Sequence, residues 1–468
     1  MSETLTHVHL IGIGGINMSA IAKLLVRAGV KVSGSDAVVS EQTDELAGRG
    51  IYIQIGHDAA MMPPDIDLVV YSSAVPETNP ERVAARARGL RQLTNFEFLA
   101  EWSQEQEVVL VTGTHGKSTT TALAGMMLAE SGFDPLVIVG SKAPAFFDGN
   151  VRYGAGALWL IEGDEYARHF LAFQPAAVLI NNIELDHTDI FPTLDSLVDA
   201  FRKLLQQVRD GGLVVVNADD RNVGTLIGGE RRALEARGVR IVTYGYGAHA
   251  IVRVSDEGIR AGEQTFLLKD DAGHLLRCQL HVPGRMNVTN VTGAAALALA
   301  LKAEPSAIQR AIAAFTGIWR RFERVSDKDG VLVVSDYGHH PTAIRVTLEA
   351  ARSFYPGRRI VLCFQPHQHN RTRQLFLDFI PAFDLADALI LVEIYDVHGR
   401  KTEQDAAISS VAVGEAVRQH DIERFCQRPL EYARDPAAAL EILQRWKKKG
   451  DIVIVMGAGD VYKIAERV

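Results

Sequence analysis

Lys117 and Ser118 stand where a short apolar run gives way to a helical pattern, in VVLVTGTHGKSTTTALAGMMLAE, residues 108–130. Val108-Val109-Leu110-Val111 has the make-up of a buried parallel strand. Gly113, Thr114, His115 and Gly116 form the turn, and beyond Ser118 and Thr119 small and apolar residues recur at helical spacing. Strand, glycine turn, Lys-Ser and helix is the order of a phosphate-binding loop. Backbone N–H groups of the turn and the helix N-terminus face an anion. Lys117 would neutralise the β/γ-phosphates, and the Ser118 hydroxyl would ligate Mg²⁺. The spacing departs from G-x-x-x-x-G-K-[ST], because Val111 stands five before Gly116. The plainer alternative is a strand–helix turn with a solvated lysine.

Two further strand ends supply polar groups. Residues 157–161 run into Glu162-Gly163-Asp164-Glu165, and residues 176–180 into Asn181-Asn182-Ile183-Glu184-Leu185-Asp186-His187. In a parallel sheet, residues just past strand C-termini line the ligand crevice. Ser118, Glu162 and His187 are therefore expected at one edge, as Mg²⁺ ligands or their outer shell. At the N-terminus, residues 8–13 read as a strand with a turn at Gly12, Gly14 and Gly15, and Ser35-Asp36 ends a second strand. That pattern lets backbone approach a diphosphate, with the acid placed for a ribose hydroxyl. Asn287 and Asn290 lie three apart on one helix face.

The elements that must position these groups alternate strand and helix throughout, which predicts doubly wound α/β domains. Three are expected: an N-terminal Rossmann-like domain over 1–105, a central P-loop ATPase-like domain over 106–318, and a C-terminal Rossmann-like domain over 319–468. The third has strand ends rich in His and Arg, which suits phosphates or carboxylates. A chain of 468 residues with net charge −8 and pI near 6.0 offers no basic footprint for nucleic acid. Its three scattered cysteines give neither a disulfide framework nor a metal cluster. No signal segment or membrane span is read, so a soluble, cytoplasmic protein is expected.

Ten segments carry a resemblance: HLIGIGGINMSAIA, VSGSD, VTGTHGKSTTT, EGDEY, NNIELDH, GRMNVTN, RRFE, DYGHHPTAI, FQPHQHNRTR and GAGD, in this order over nearly the whole chain. In these the sequence resembles the Mur ligases of peptidoglycan synthesis, most closely the branch that adds L-alanine. The resemblance implies three α/β domains for UDP-substrate, ATP and amino acid. It implies ATP- and Mg²⁺-dependent amide formation between UDP-N-acetylmuramate and L-alanine through an acyl phosphate. Lys117, Glu162, His187 and Arg321 would be catalytic. Asn287 and Asn290 would lie near adenine, and Arg321 and Asp336 would close on the nucleotide from the third domain. Gly12, Gly14, Gly15, Ser35, Asp36 and Ser73 would serve the UDP-sugar, and His340, Arg371, Arg373 and Tyr395 the amino acid. A monomer or weak homodimer is expected.

Asn17, Gly163, Ala167 and Met286 replace residues usual in the family motifs, and bear on substrate choice rather than on phosphate or metal. Other readings are a ligase that recycles a preformed tripeptide, a nicotinamide-dependent dehydrogenase resting on the first glycine turn, and a nucleotide-binding regulator without turnover.

Overall fold

Runs such as Val109–Val111 and Leu389–Leu391 are apolar at every position, and such runs are stable only where both faces of a strand are covered. The computed structural model, which describes residues 5–260, 262–396 and 408–468, uses them as central strands of three sheets.

The first sheet is all parallel, ordered Tyr52–Ile55, Lys31–Asp36, His7–Ile11, Leu68–Tyr71 and Arg91–Thr94. The order reverses at His7–Ile11, which places a crevice beyond the C-terminal end of that strand.

The second sheet is ordered Leu275–Leu280, Glu263–Lys269, Val252–Arg260, Arg240–Gly245, Leu213–Asn217, Ala177–Ile180, Glu107–Thr112, Leu158–Glu162, Leu136–Ile138 and Val151–Arg152. Its centre is parallel, so Glu107–Thr112, Leu158–Glu162 and Ala177–Ile180 all end at one edge. Antiparallel pairs close both flanks. Helices Lys117–Glu130 and Arg285–Ala300 pack on it through nearly unbroken small and apolar surface.

The third sheet runs Glu323–Lys328, Val331–Asp336, Ile452–Met456, Ile360–Phe364, Ala388–Val392 and Leu430–Ala433; only the first pair is antiparallel. The chain is thus a three-domain α/β protein built on parallel sheets. Among the described residues no helix is long and apolar enough to cross a membrane.

Polar contacts tie the domains together. Lys23, 5% exposed, donates to the Asp148 carbonyl and Asn150 Oδ1 of the second domain. Trp319, shortly before the first strand of the third sheet, donates its N–H to the Lys142 carbonyl at 2.8 Å.

Candidate functional site

The strand Glu107–Thr112 ends at Gly113 (φ +127°), and Gly116 (φ +80°) caps the helix Lys117–Glu130. Both positions need glycine. A Cβ on Gly113 would stand 2.9 Å from the Asn182 carbonyl oxygen, and one on Gly116 would strike Asn290. The turn is laced to the neighbouring strand end: the His115 N–H donates to Asn182 Oδ1 (2.7 Å) and the Thr114 hydroxyl to the Glu184 carbonyl (3.0 Å).

Lys117 Nζ lies back over this loop, donating to the Gly113 carbonyl (2.8 Å) and to both carboxylate oxygens of Glu165 (3.0 and 2.8 Å). Burial works against the ammonium, but Glu165, Asp164 and Glu162 outweigh it and hold its pKa above the usual lysine range. The Ser118 hydroxyl donates to Glu162 Oε1 at 2.8 Å, and the Gly140 N–H to Oε2 at 2.6 Å. Burial pushes the Glu162 carboxyl up, so it gains from a cation beside it.

His187 is in the left-handed region (φ +51°), a conformation that the surrounding loop must impose. Its Nε2 stands 3.6 Å from Glu165 Oε1, and donor atoms of Asp164, Glu165 and His187 lie within 4.8 Å of one another. The structure thus pairs Ser118 with Glu162 and groups His187 with Asp164 and Glu165, the two sets sharing the lining of one cavity; their oxygens suit Mg²⁺, a hard ion that takes few protein ligands and keeps waters.

From the third domain, Arg321 sits between Arg320 (φ +55°) and Phe322 (φ +48°). Asp336 fixes this turn by accepting the N–H groups of Phe322 (2.8 Å) and Gly338 (2.7 Å).

Two cavities open on these groups. One of about 210 Å³ is lined by Lys117, Glu162, His187, Arg321, His340 and, from the first domain, Asn17. The other, about 460 Å³, includes Gly116, Thr119, Asn287, Asn290, Arg321 and Asp336 and has the size of a small-molecule site. His115, Gly116 and Arg321 line both.

Interdomain bonds hold the third domain here. Arg371 Nε donates to Asp186 Oδ1 at 2.9 Å with both side chains buried, and the Thr342 hydroxyl donates to Glu184 Oε1 at 2.7 Å.

Gly12, Gly14 and Gly15 form the turn into helix Ile16–Arg27, and Asp36 Oδ2 accepts the Gly14 N–H at 2.9 Å. Ser35 is fully buried with its hydroxyl donated to Glu81 (2.6 Å), so it braces the turn from below. Ser73 Oγ meets His169 Nε2 at 2.6 Å, across to the second domain. Arg373 is exposed, and Tyr395, 36% exposed, stacks on His367; both lie outside the two cavities.

Glu165, Asp164, Tyr337 and His339 border Lys117 or the smaller cavity and were not singled out from sequence. All four sit within the motifs EGDEY and DYGHHPTAI, but nothing in their spacing says which acid takes the lysine.

Fold and site together define a multidomain α/β protein with a glycine–lysine loop at a strand end, faced by a third domain. Models of the Mur ligase family match in sequence: its catalytic domain over 7–107, its middle domain over 111–298, and its glutamate ligase domain over 320–459. The UDP-N-acetylmuramate–L-alanine ligase of Solidesulfovibrio magneticus is 38% identical over 466 residues, covering 99% of this chain and 98% of that protein. That of Salinibacter ruber is 38% identical over 463 residues, covering 98% and 93%. The crystal structure of the UDP-N-acetylmuramate–alanine ligase of Thermotoga maritima superposes with a TM-score of 0.82 at 26% identity, over 98% of this chain and 97% of that one. The chain belongs to the Mur ligase family.

Proposed function

We propose that this chain is an ATP-dependent ligase joining L-alanine to the lactyl carboxylate of UDP-N-acetylmuramate in the cytoplasm, with release of ADP and phosphate. The observation that supports it most is that Lys117 and Glu162, the latter bonded to the Ser118 hydroxyl, face Arg321 of another domain around the smaller cavity. Phosphoryl transfer calls for that: positive charge, positioning and exclusion of water, with no covalent work for the protein. The relatives carrying this name align along nearly the whole chain.

In this reading the divisions fall near residues 105 and 318, giving domains for the UDP-sugar, the nucleotide and the amino acid. The adenosine occupies the larger cavity beside Asn287 and Asn290, and the triphosphate crosses the loop over 113–119. Lys117 turns from Glu165 to the phosphates. Ser118, Glu162 and His187 would hold Mg²⁺, which supplies charge neutralisation on the phosphates when bound. The lactyl carboxylate attacks the γ-phosphorus, with ADP leaving, to give an acyl phosphate. Arg321 screens the transferring group. The alanine amine then attacks the acyl carbon, and the tetrahedral adduct expels phosphate. His340 borders the acceptor end of the smaller cavity. Arg371 is committed to Asp186, so it orients the acceptor pocket.

The test is phosphate release from ATP and Mg²⁺ with UDP-N-acetylmuramate, against L-Ala, L-Ser, Gly and the tripeptide. Release that requires both the UDP-sugar and L-Ala is expected. Release with the tripeptide alone, or with no acceptor at all, would overturn the assignment.

A further inference from the structure

A second set of donors meets across the seam between the second and third domains, apart from the Ser118–Glu162 pair. His115 Nε2 stands 2.7 Å from Glu184 Oε2, and His340 Nδ1 stands 3.8 Å from the same oxygen. One donor atom from each of the three residues lies within 4.8 Å of the other two. Ligands at 2.0–2.2 Å from a tetrahedral ion are separated by roughly 3.3–3.6 Å, and the two observed spacings bracket that range.

Two imidazoles and a carboxylate favour Zn²⁺, whereas Mg²⁺ prefers an all-oxygen set. Thr342 Oγ1 holds the other oxygen of Glu184 at 2.7 Å, the outer partner such a ligand needs. The Thr342 N–H, 3.2 Å from His340 Nδ1, exchanges that one bond for the ion.

We propose that His115, Glu184 and His340 form a Zn²⁺ site that staples the third domain to the phosphate loop and so arrests turnover. Arrest follows because His115 belongs to the loop and His340 to the closing domain. That consequence rests on the proposed ligase reaction; binding of the ion does not.

The test is a Zn²⁺ titration of the full, chelator-treated chain in excess Mg²⁺, read by calorimetry and thermal melting. One Zn²⁺ per chain and a raised melting temperature are expected. Glu184→Gln and His340→Gln should each weaken binding at least about tenfold, while melting near the parent chain without Zn²⁺. Glu165→Gln, in the neighbouring carboxylate cluster, should leave it unchanged. No stoichiometric binding in Mg²⁺, or a loss that follows Glu165→Gln instead, overturns the site. ATP turnover in the same samples without Zn²⁺ separates the two ideas: its failure with Zn²⁺ binding intact sinks the ligase reading alone.

Discussion

At the residue scale the arrangement turns on which anion holds Lys117. Its ammonium rests on Glu165, whose side chain is 1% exposed, so nucleotide phosphates must displace one buried counter-charge. Lys117→Ala is expected to cut turnover by at least about 10²-fold, the usual worth of a preorganised group at developing charge. UDP-sugar binding, proposed for the first domain, should stay nearly intact; phosphate release and calorimetry read the two effects, and equal loss of both would refute the division of labour. Glu165→Gln keeps the shape and removes the competing charge. It should tighten ATP binding several-fold in a nucleotide titration, and unchanged or weaker binding would show that Glu165 is no competitor. The metal groups make a separate demand. His187→Ala should raise the Mg²⁺ concentration needed for half-maximal turnover, and an unchanged titration would remove His187 from the site.

At the element scale the loop works because strand, glycines and helix are each locally consistent. Gly116→Ala must accept a positive φ and a Cβ against Asn290. It should cost about 1–3 kcal/mol in denaturant unfolding and abolish nucleotide binding. This element was legible in sequence, since a run such as VVLV followed by glycines and a small-residue helix admits few structures. The same holds for the strands ending at Glu162 and Ile180. Short or polar edge strands were not legible: Val151–Arg152, Arg91–Thr94 and Glu323–Lys328 owe their state to a neighbour's hydrogen bonds rather than to their own pattern. Asp36 shows the limit for single residues. It ends the second strand, where a ribose contact is expected, and its Oδ2 accepts the Gly14 N–H and shapes the glycine turn, a role its spacing does not reveal. Ser35 likewise points inward, because alternation along Lys31–Asp36 sends it to the Glu81 side. Pairings such as Lys117–Glu165 and Arg371–Asp186 join residues 48 and 185 positions apart, which spacing cannot reveal.

At the scale of the whole molecule, the proposed function draws on groups of the second and third domains, which meet at one seam. The Arg371–Asp186 pair lies at that seam with side chains 4% and 6% exposed. Removing one partner leaves a buried charge, so Arg371→Met should destabilise the closed arrangement by about 3–5 kcal/mol, read as a lower melting temperature and a raised KM for ATP. Burial raises the Asp186 carboxyl, but Arg371 overrides it and the folded-state pKa lies well below 3.8. A depressed acid stabilises above its unfolded pKa, so this contribution is full above about pH 3.8 and is lost as pH falls further. Asp186→Asn should therefore flatten the acid limb of the stability profile, and an unaltered limb would show that the pair does not carry it.

The central claim is that these domains bring ATP and a carboxylate together to make an acyl phosphate that an amine then opens. UDP-N-acetylmuramate labelled with oxygen-18 in its lactyl carboxylate tests this directly. With ATP, Mg²⁺ and L-alanine, one labelled oxygen is predicted in the phosphate released per amide formed. Amide formation with unlabelled phosphate would contradict the account.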